Sequence, residues 1–279
     1  MRFVSRHLER DGKLPKYRDI LLKNALVDLT ADSNVLAIYL SGSLAKGNFD
    51  IYSDIDLHII VTSEQKTDFI KKKRIRSNNW GEVLFYEDFN PFSPVVVTHF
   101  DSFIKEDSWY HSPEEVVPSI WLKDLDVLYD PHNLISSVIK ESSSLDYKPS
   151  KEEVEFWRGK VIAFIHEIYR AVMRNEIYYA LSNLDRVRWL IASGWYMEMG
   201  QHLDSSYGVW SKIEGKRSKL NNQQFSLLEM WTCSRDPQNI MQTMEKMIPE
   251  FFRLNKYLSK KVVIEENEDH IKKIIEMTI

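Results

Sequence analysis

The stretch Leu40-Ser41-Gly42-Ser43-Leu44-Ala45-Lys46-Gly47-Asn48-Phe49-Asp50-Ile51-Tyr52-Ser53-Asp54-Ile55-Asp56-Leu57 joins two strand-like patterns through a short polar loop. Upstream, Val35 to Leu40 is a continuous apolar run of strand length, as expected of a strand covered on both faces. Downstream, Ile55, Leu57, Ile59 and Val61 alternate with Asp54, Asp56 and His58, the period-two pattern of a second strand. Residues i and i+2 of a strand share a face, so Asp54 and Asp56 project together. Two carboxylates this close oppose each other's ionisation. A hard divalent cation relieves that conflict, and Mg²⁺ characteristically takes one or two carboxylates together with phosphate oxygens and water. Gly42 permits close backbone approach, and Ser43 offers an amide and a hydroxyl to a phosphate where a short helix can start. The pattern suits a metal-bound triphosphate.

A Gly-Ser at the end of a strand, followed about ten residues later by Asp-x-Asp, resembles the nucleotidyltransferase superfamily that includes DNA polymerase beta. Residues 41–60, SGSLAKGNFDIYSDIDLHII, are most similar to the antibiotic nucleotidyltransferases, the aminoglycoside adenylyltransferases and lincosamide nucleotidyltransferases. Asn79-Trp80-Gly81-Glu82 and the segment from Trp121 to Pro131 add weaker similarity to the aminoglycoside 6-adenylyltransferases. The resemblance implies catalytic and metal-binding roles for Asp54, Asp56 and a third carboxylate on a neighbouring strand. Asp107 is the first choice for that third group, with Glu106 the alternative after a one-residue change of register. It further implies two Mg²⁺ ions and a nucleoside triphosphate held by Gly42, Ser43 and Lys46, with ATP the expected donor. The expected reaction passes a nucleoside monophosphate to the hydroxyl of a small molecule such as an aminoglycoside or lincosamide, as in antibiotic resistance. A protein acceptor, a toxin–antitoxin role and a non-catalytic nucleotide-binding role are the alternatives.

The remaining sequence sets the frame. The 279 residues carry 37 basic and 41 acidic side chains, a net charge of −4, so no general basic field attracts nucleic acid. Residues 1–150 hold 18 basic and 23 acidic groups against 19 and 18 in the rest, so the acidity lies in the first half. A single cysteine, Cys233, excludes an intrachain disulfide and a cysteine-rich zinc site. The charged N-terminus and the absence of an apolar run of roughly 18 residues lead to the expectation of a cytoplasmic protein without membrane contact. No repeat is present, and the sequence is silent on oligomeric state.

Further strands are expected over Val83 to Tyr86, Val95 to Phe100 and Phe103 to Tyr110, after a helix from Tyr17 to about Leu29. Beyond the Ser-rich stretch ending at Ser150, apolar residues recur at helical spacing: Val154, Trp157, Val161, Phe164, Ile165, Ile168 and Val172. The expected fold class is α+β. A mixed-sheet nucleotidyltransferase domain (1–149) precedes an all-α substrate-binding bundle (150–279), with the site in a cleft between them. The basic run Lys71 to Arg76 reads as a solvated helix end or edge strand, and His58 as an ordinary strand-end residue. Neither G-x-x-x-x-G-K-[ST] nor G-x-G-x-x-G occurs, and His99-Phe100-Asp101 lacks the downstream Asn of a kinase catalytic loop. Five of the eight tryptophans fall in the helical half, which favours a neutral or amphiphilic acceptor over a polycation.

Overall fold

A computed structural model describes residues 4–87, 90–203 and 207–279. The chain divides into two compact units, Met1–Asp146 and Tyr147–Ile279. Among the described residues, no helix is long and apolar enough to cross a membrane.

The first unit is built on a six-stranded mixed sheet. Its strands are β1 (Val35–Leu40), β2 (Ile55–Val61), β3 (Val83–Tyr86), β4 (Val95–Phe100), β5 (Lys105–His111) and β6 (Asp126–Tyr129), in the spatial order β3-β4-β5-β2-β1-β6. Among the described residues, only β2 and β5 run parallel; the other neighbours are antiparallel. The crossover between the parallel pair contains helix α3 (Lys66–Ser77) and the β3–β4 hairpin, in keeping with the long connection that parallel pairing demands. As a result β1 ends, β2 begins, β4 ends and β5 begins at one edge of the sheet, which is where the polar residues of the opening stretch lie.

One face of the sheet is apolar. Ile55, Leu57 and Ile59 pack with Ile38, Leu40, Val96 and Tyr110, and with Leu14, Leu21, Ala25 and Leu29 of helix α1 (Leu8–Thr30). Helix α1 begins well before Tyr17, where the sequence pattern starts. Gly12 and Pro15 look like breakers, yet Leu14 is 1% exposed, and its burial carries the helix through them. Trp80 closes this core and donates its indole N–H to Asp28 at 3.0 Å. A smaller cluster of Ala37, Tyr39, Ile60 and Ile135 packs helix α4 (Leu134–Ser142) on the opposite face near β1.

The basic run lies in the second half of α3, so the helical alternative for it is the one observed. The solvated reading fails for Lys73, which is 2% exposed and donates to the carbonyls of Asn90, Ser93 and Val95 at 2.9–3.1 Å. Its ammonium ties α3 to the segment leading into β4, because a buried charge must find hydrogen-bond acceptors.

The second unit is helical: α5 (Lys151–Met173), α6 (Ile177–Glu198), α7 (Asn222–Met230), α8 (Pro237–Val262) and α9 (Glu268–Ile275). Ser150 opens α5 with a capping box, accepting from the amide of Glu153, whose carboxylate accepts from the Ser150 amide. Pro237 occupies the first turn of α8. Trp157, Trp189, Trp195 and Trp231 all lie in this unit's core, and Trp195 stacks on Trp231 with centroids 5.9 Å apart. Of the five tryptophans read as a sign of an apolar acceptor, only Trp210 remains partly exposed.

Candidate active site

The site is assembled at the sheet edge where β2 and β5 begin. Strand β1 ends at Leu40, and Gly42 opens a one-turn helix, α2 (Gly42–Ala45), with φ of +65°. The glycine is required twice over. Its φ is in the left-handed region, and a Cβ there would stand 1.9 Å from Oδ2 of Asp56. The Ser41 amide donates to the Asp56 carbonyl at 3.0 Å, locking the turn to the strand beside it. Ser43 is 5% exposed and its hydroxyl has no partner among the described residues, a donor held ready in a buried position. Lys46, just after α2, is exposed.

Asp54, Asp56 and Asp107 come together: each offers a carboxylate oxygen, all within 4.8 Å of one another. Register explains the set. The parallel pairing places Asp56 opposite Asp107 and Ile55 opposite Glu106. Asp107 therefore shares the face of Asp54 and Asp56, whereas Glu106 points into the core, 2% exposed, where the Ser108 hydroxyl donates to it. Burial, against the opposing hydrogen bond from Ser108, pushes the Glu106 carboxyl up to about 8. Burial also raises Asp107, with Lys105 acting against the rise.

Lys105 escaped the sequence reading. Its ammonium lies 3.2 Å from Asp54 and 3.2 Å from Asp107, inside the carboxylate cluster. Burial disfavours its charge, but Asp107 and Asp54 outweigh that and hold the ammonium above its ordinary value. The cluster thus already organises itself around a cation. Its all-oxygen donor set fits a hard divalent ion, with Asp54, Asp56 and Asp107 as the residues that would hold it.

Two further supports were missed or underrated. Arg18 of α1, 4% exposed, donates to the carbonyls of Asp50 at 3.1 Å and Ser53 at 3.0 Å. It fixes the loop that delivers Asp54, and a lone arginine on a helical pattern gives no hint of such a remote partner. His58 stacks on Tyr39 at 4.7 Å, and its Nε2 lies 2.9 Å from the Ser41 hydroxyl. Its Nδ1 meets His111 Nε2 at 3.0 Å. Burial, reinforced by His111, lowers its pKa to about 3, so the ring is neutral at physiological pH. More than a strand-end residue, His58 braces the residue that precedes Gly42.

Replacing Arg18 with Ala should remove the donor that serves the Asp50 and Ser53 carbonyls, at a cost of about 1–3 kcal/mol for the buried Ser53 contact. A fall in the chemical denaturation midpoint is expected, together with weaker Mg²⁺ binding as Asp54 loses its fixed position. Unchanged metal affinity, measured calorimetrically in the folded variant, would show that the loop holds its shape without Arg18.

Comparison with curated proteins gives no match. Among solved structures, an aminoglycoside 6-adenyltransferase from Bacillus subtilis aligns over 94% of this chain and 98% of its own, with 14% identity and a TM-score of 0.43. A nucleotidyltransferase-like protein from Exiguobacterium sibiricum aligns over 90% and 78%, with 12% identity and a TM-score of 0.41. The assignment does not rest on these. The model of the nucleotidyltransferase domain matches residues 21–110, a span that runs from α1 through the Gly-Ser turn, all three clustered aspartates and Lys105. The first unit of this chain therefore contains a domain of the nucleotidyltransferase family.

Proposed function

We propose that the chain is a metal-dependent nucleotidyltransferase that passes a nucleoside monophosphate from a triphosphate, with ATP the expected donor, to a hydroxyl of a small molecule. The observation that carries this reading is the convergence of Asp54, Asp56 and Asp107 beside the Gly42–Ser43 turn, within the matched domain. Asp54, Asp56 and Asp107 would hold Mg²⁺, which when bound supplies electrophilic activation of the α-phosphate and neutralises the departing pyrophosphate. The buried Ser43 hydroxyl and the amides of α2 would bind the terminal phosphates, with Lys46 adding positive charge from the loop. Asp107 would accept the proton of the attacking hydroxyl. In this scheme oxygen–phosphorus bond formation and release of pyrophosphate rest on positioning and electrostatics.

Purified protein given Mg-ATP and hydroxyl acceptors is expected to release pyrophosphate, and the acceptor to gain the mass of AMP less water. Other nucleoside triphosphates in parallel would identify the donor. No metal-dependent binding of any triphosphate, measured by calorimetry, would overturn the reading irrespective of the acceptors chosen.

A further inference from the structure

A cavity of about 380 Å³ opens beside the carboxylate cluster, within the first unit. Asp54 and Lys105 form its polar end, and Tyr52, Leu84, Phe85 and Phe103 form much of the remainder. These four apolar side chains each leave 52–62% of their surface exposed. Large apolar groups gathered at one mouth are what a ligand site presents, whereas scattered ones are ordinary surface.

Phe103 shows that the wall is built. It sits in the β4–β5 turn with φ of +65°, a conformation suited to Gly or Asn and unfavourable for a bulky side chain. Its amide donates to the Phe100 carbonyl at 3.0 Å, and the Arg10 guanidinium lies 3.9 Å over its ring. The turn does not need a ring, so holding Phe in this backbone state keeps an aromatic surface at the cavity mouth. Tyr52, on the loop before Asp54, is held in turn by its hydroxyl, which donates to Asp11 at 2.9 Å.

Position along the sheet edge says what enters. From β1 outward the order is the Gly42–Ser43 turn, then Asp54 just before β2 and Asp56 on it, then Lys105 and Asp107 on β5. His99, Leu84 and Phe85 follow on β4 and β3. With the terminal phosphates at Ser43, the leaving pyrophosphate lies on the β1 side. In-line displacement then brings the attacking oxygen from the β5 side, where the cavity is.

We propose that this cavity binds the acceptor, and that the acceptor is an alcohol or phenol carrying an aromatic or apolar body rather than a polycationic sugar. The inference rests on the nucleotidyl-transfer reading. The acceptor oxygen forms a bond to the α-phosphorus, its proton passes to Asp107, and the bond from the α-phosphorus to the bridging oxygen breaks to release pyrophosphate. The product is a phosphodiester of the alcohol and the nucleoside.

The test uses the full chain, phenethyl alcohol as probe, streptomycin as a polycationic comparison, and Phe103→Gly. Glycine is unstrained at this φ, so the variant removes the ring without endangering the turn. Phenethyl alcohol is expected to bind the wild type in ligand-observed NMR, with Mg-ATP present, and to gain the mass of a nucleoside monophosphate less water. Phe103→Gly should weaken that binding at least tenfold, with an undiminished thermal midpoint and unchanged Mg-ATP affinity. Failure of the alcohol to bind, equal binding by the variant, or modification of streptomycin alone would overturn the proposal. Displacement of the alcohol by Mg-ATP would do the same, since the nucleobase would then own the cavity. Alcohol binding without any triphosphate binding would instead remove the transfer reading, and the acceptor role with it, leaving a site for aromatic alcohols.

Discussion

Asp56→Asn is expected to lower turnover by roughly 10³-fold, the scale seen when one preorganised electrostatic group is removed from a transition state. The substitution keeps the size of the side chain and deletes its charge. Asp56 is the central member of the cluster: it lies opposite Asp107 in the parallel pair and two residues after Asp54, which immediately precedes the strand. Removing its charge also relieves repulsion among three carboxylates, so the metal-free variant should stay folded with a thermal midpoint close to that of the wild type. Activity and stability are thus expected to part company. Turnover measured across a Mg²⁺ titration, beside thermal unfolding in chelator, checks both halves. An active Asp56→Asn would remove the cluster from the mechanism, and a variant that loses activity only because it unfolds would make Asp56 a structural residue.

Much of this arrangement can be read from neighbouring residues in the chain. The alternation through Asp54, Ile55, Asp56 and Leu57 specifies which side chains share a face, because one face must be buried against α1. A slip of one residue would put two carboxylates into the core. The same argument does not extend to Asp107. The run Lys105-Glu106-Asp107-Ser108 has no apolar alternation, and whether Glu106 or Asp107 shares the face of Asp56 depends on pairing with a strand some fifty residues away. The core accepts Glu106 only with Ser108 bonded to it and its carboxyl pushed toward the neutral form. That compensation is invisible until the strands are paired.

Arg18, Lys105 and His58 teach the same lesson. Their partners are Asp50 and Ser53, Asp54 and Asp107, and Ser41 and His111. All but the Lys105–Asp107 pair, which lies within β5, cross between elements, so those contacts leave no local pattern. The aromatic excess was legible as a quantity but not as a location. Four tryptophans of the second unit fill its core, while the exposed rings of Tyr52, Phe85 and Phe103 gather beside the carboxylates of the first. Periodicity tells which side chains need burial. It does not tell which rings the fold leaves uncovered.

Gly42→Ala should be more damaging to function than to stability, and Gly47 supplies the control. Both glycines have positive φ, +65° and +67°, so alanine at either should cost about 1–2 kcal/mol of backbone strain. Their surroundings differ. Among the described residues nothing lies within 4 Å of a Cβ at Gly47, whereas a Cβ at Gly42 meets Asp56 Oδ2 at 1.9 Å and its carboxyl carbon at 2.8 Å. The Asp56 carboxylate would have to swing away from the turn, and a shift of about 1 Å at a positioned group is enough to cost ~10² in rate. The two variants are therefore expected to unfold at similar denaturant concentrations. Gly42→Ala should lose ~10²-fold or more in turnover with weakened Mg²⁺ binding, while Gly47→Ala stays within a few-fold of the wild type. Equal activity of the two would mean that close approach of the turn to Asp56 is incidental. Equal loss would shift the requirement from the carboxylate contact to the backbone conformation of the loop itself.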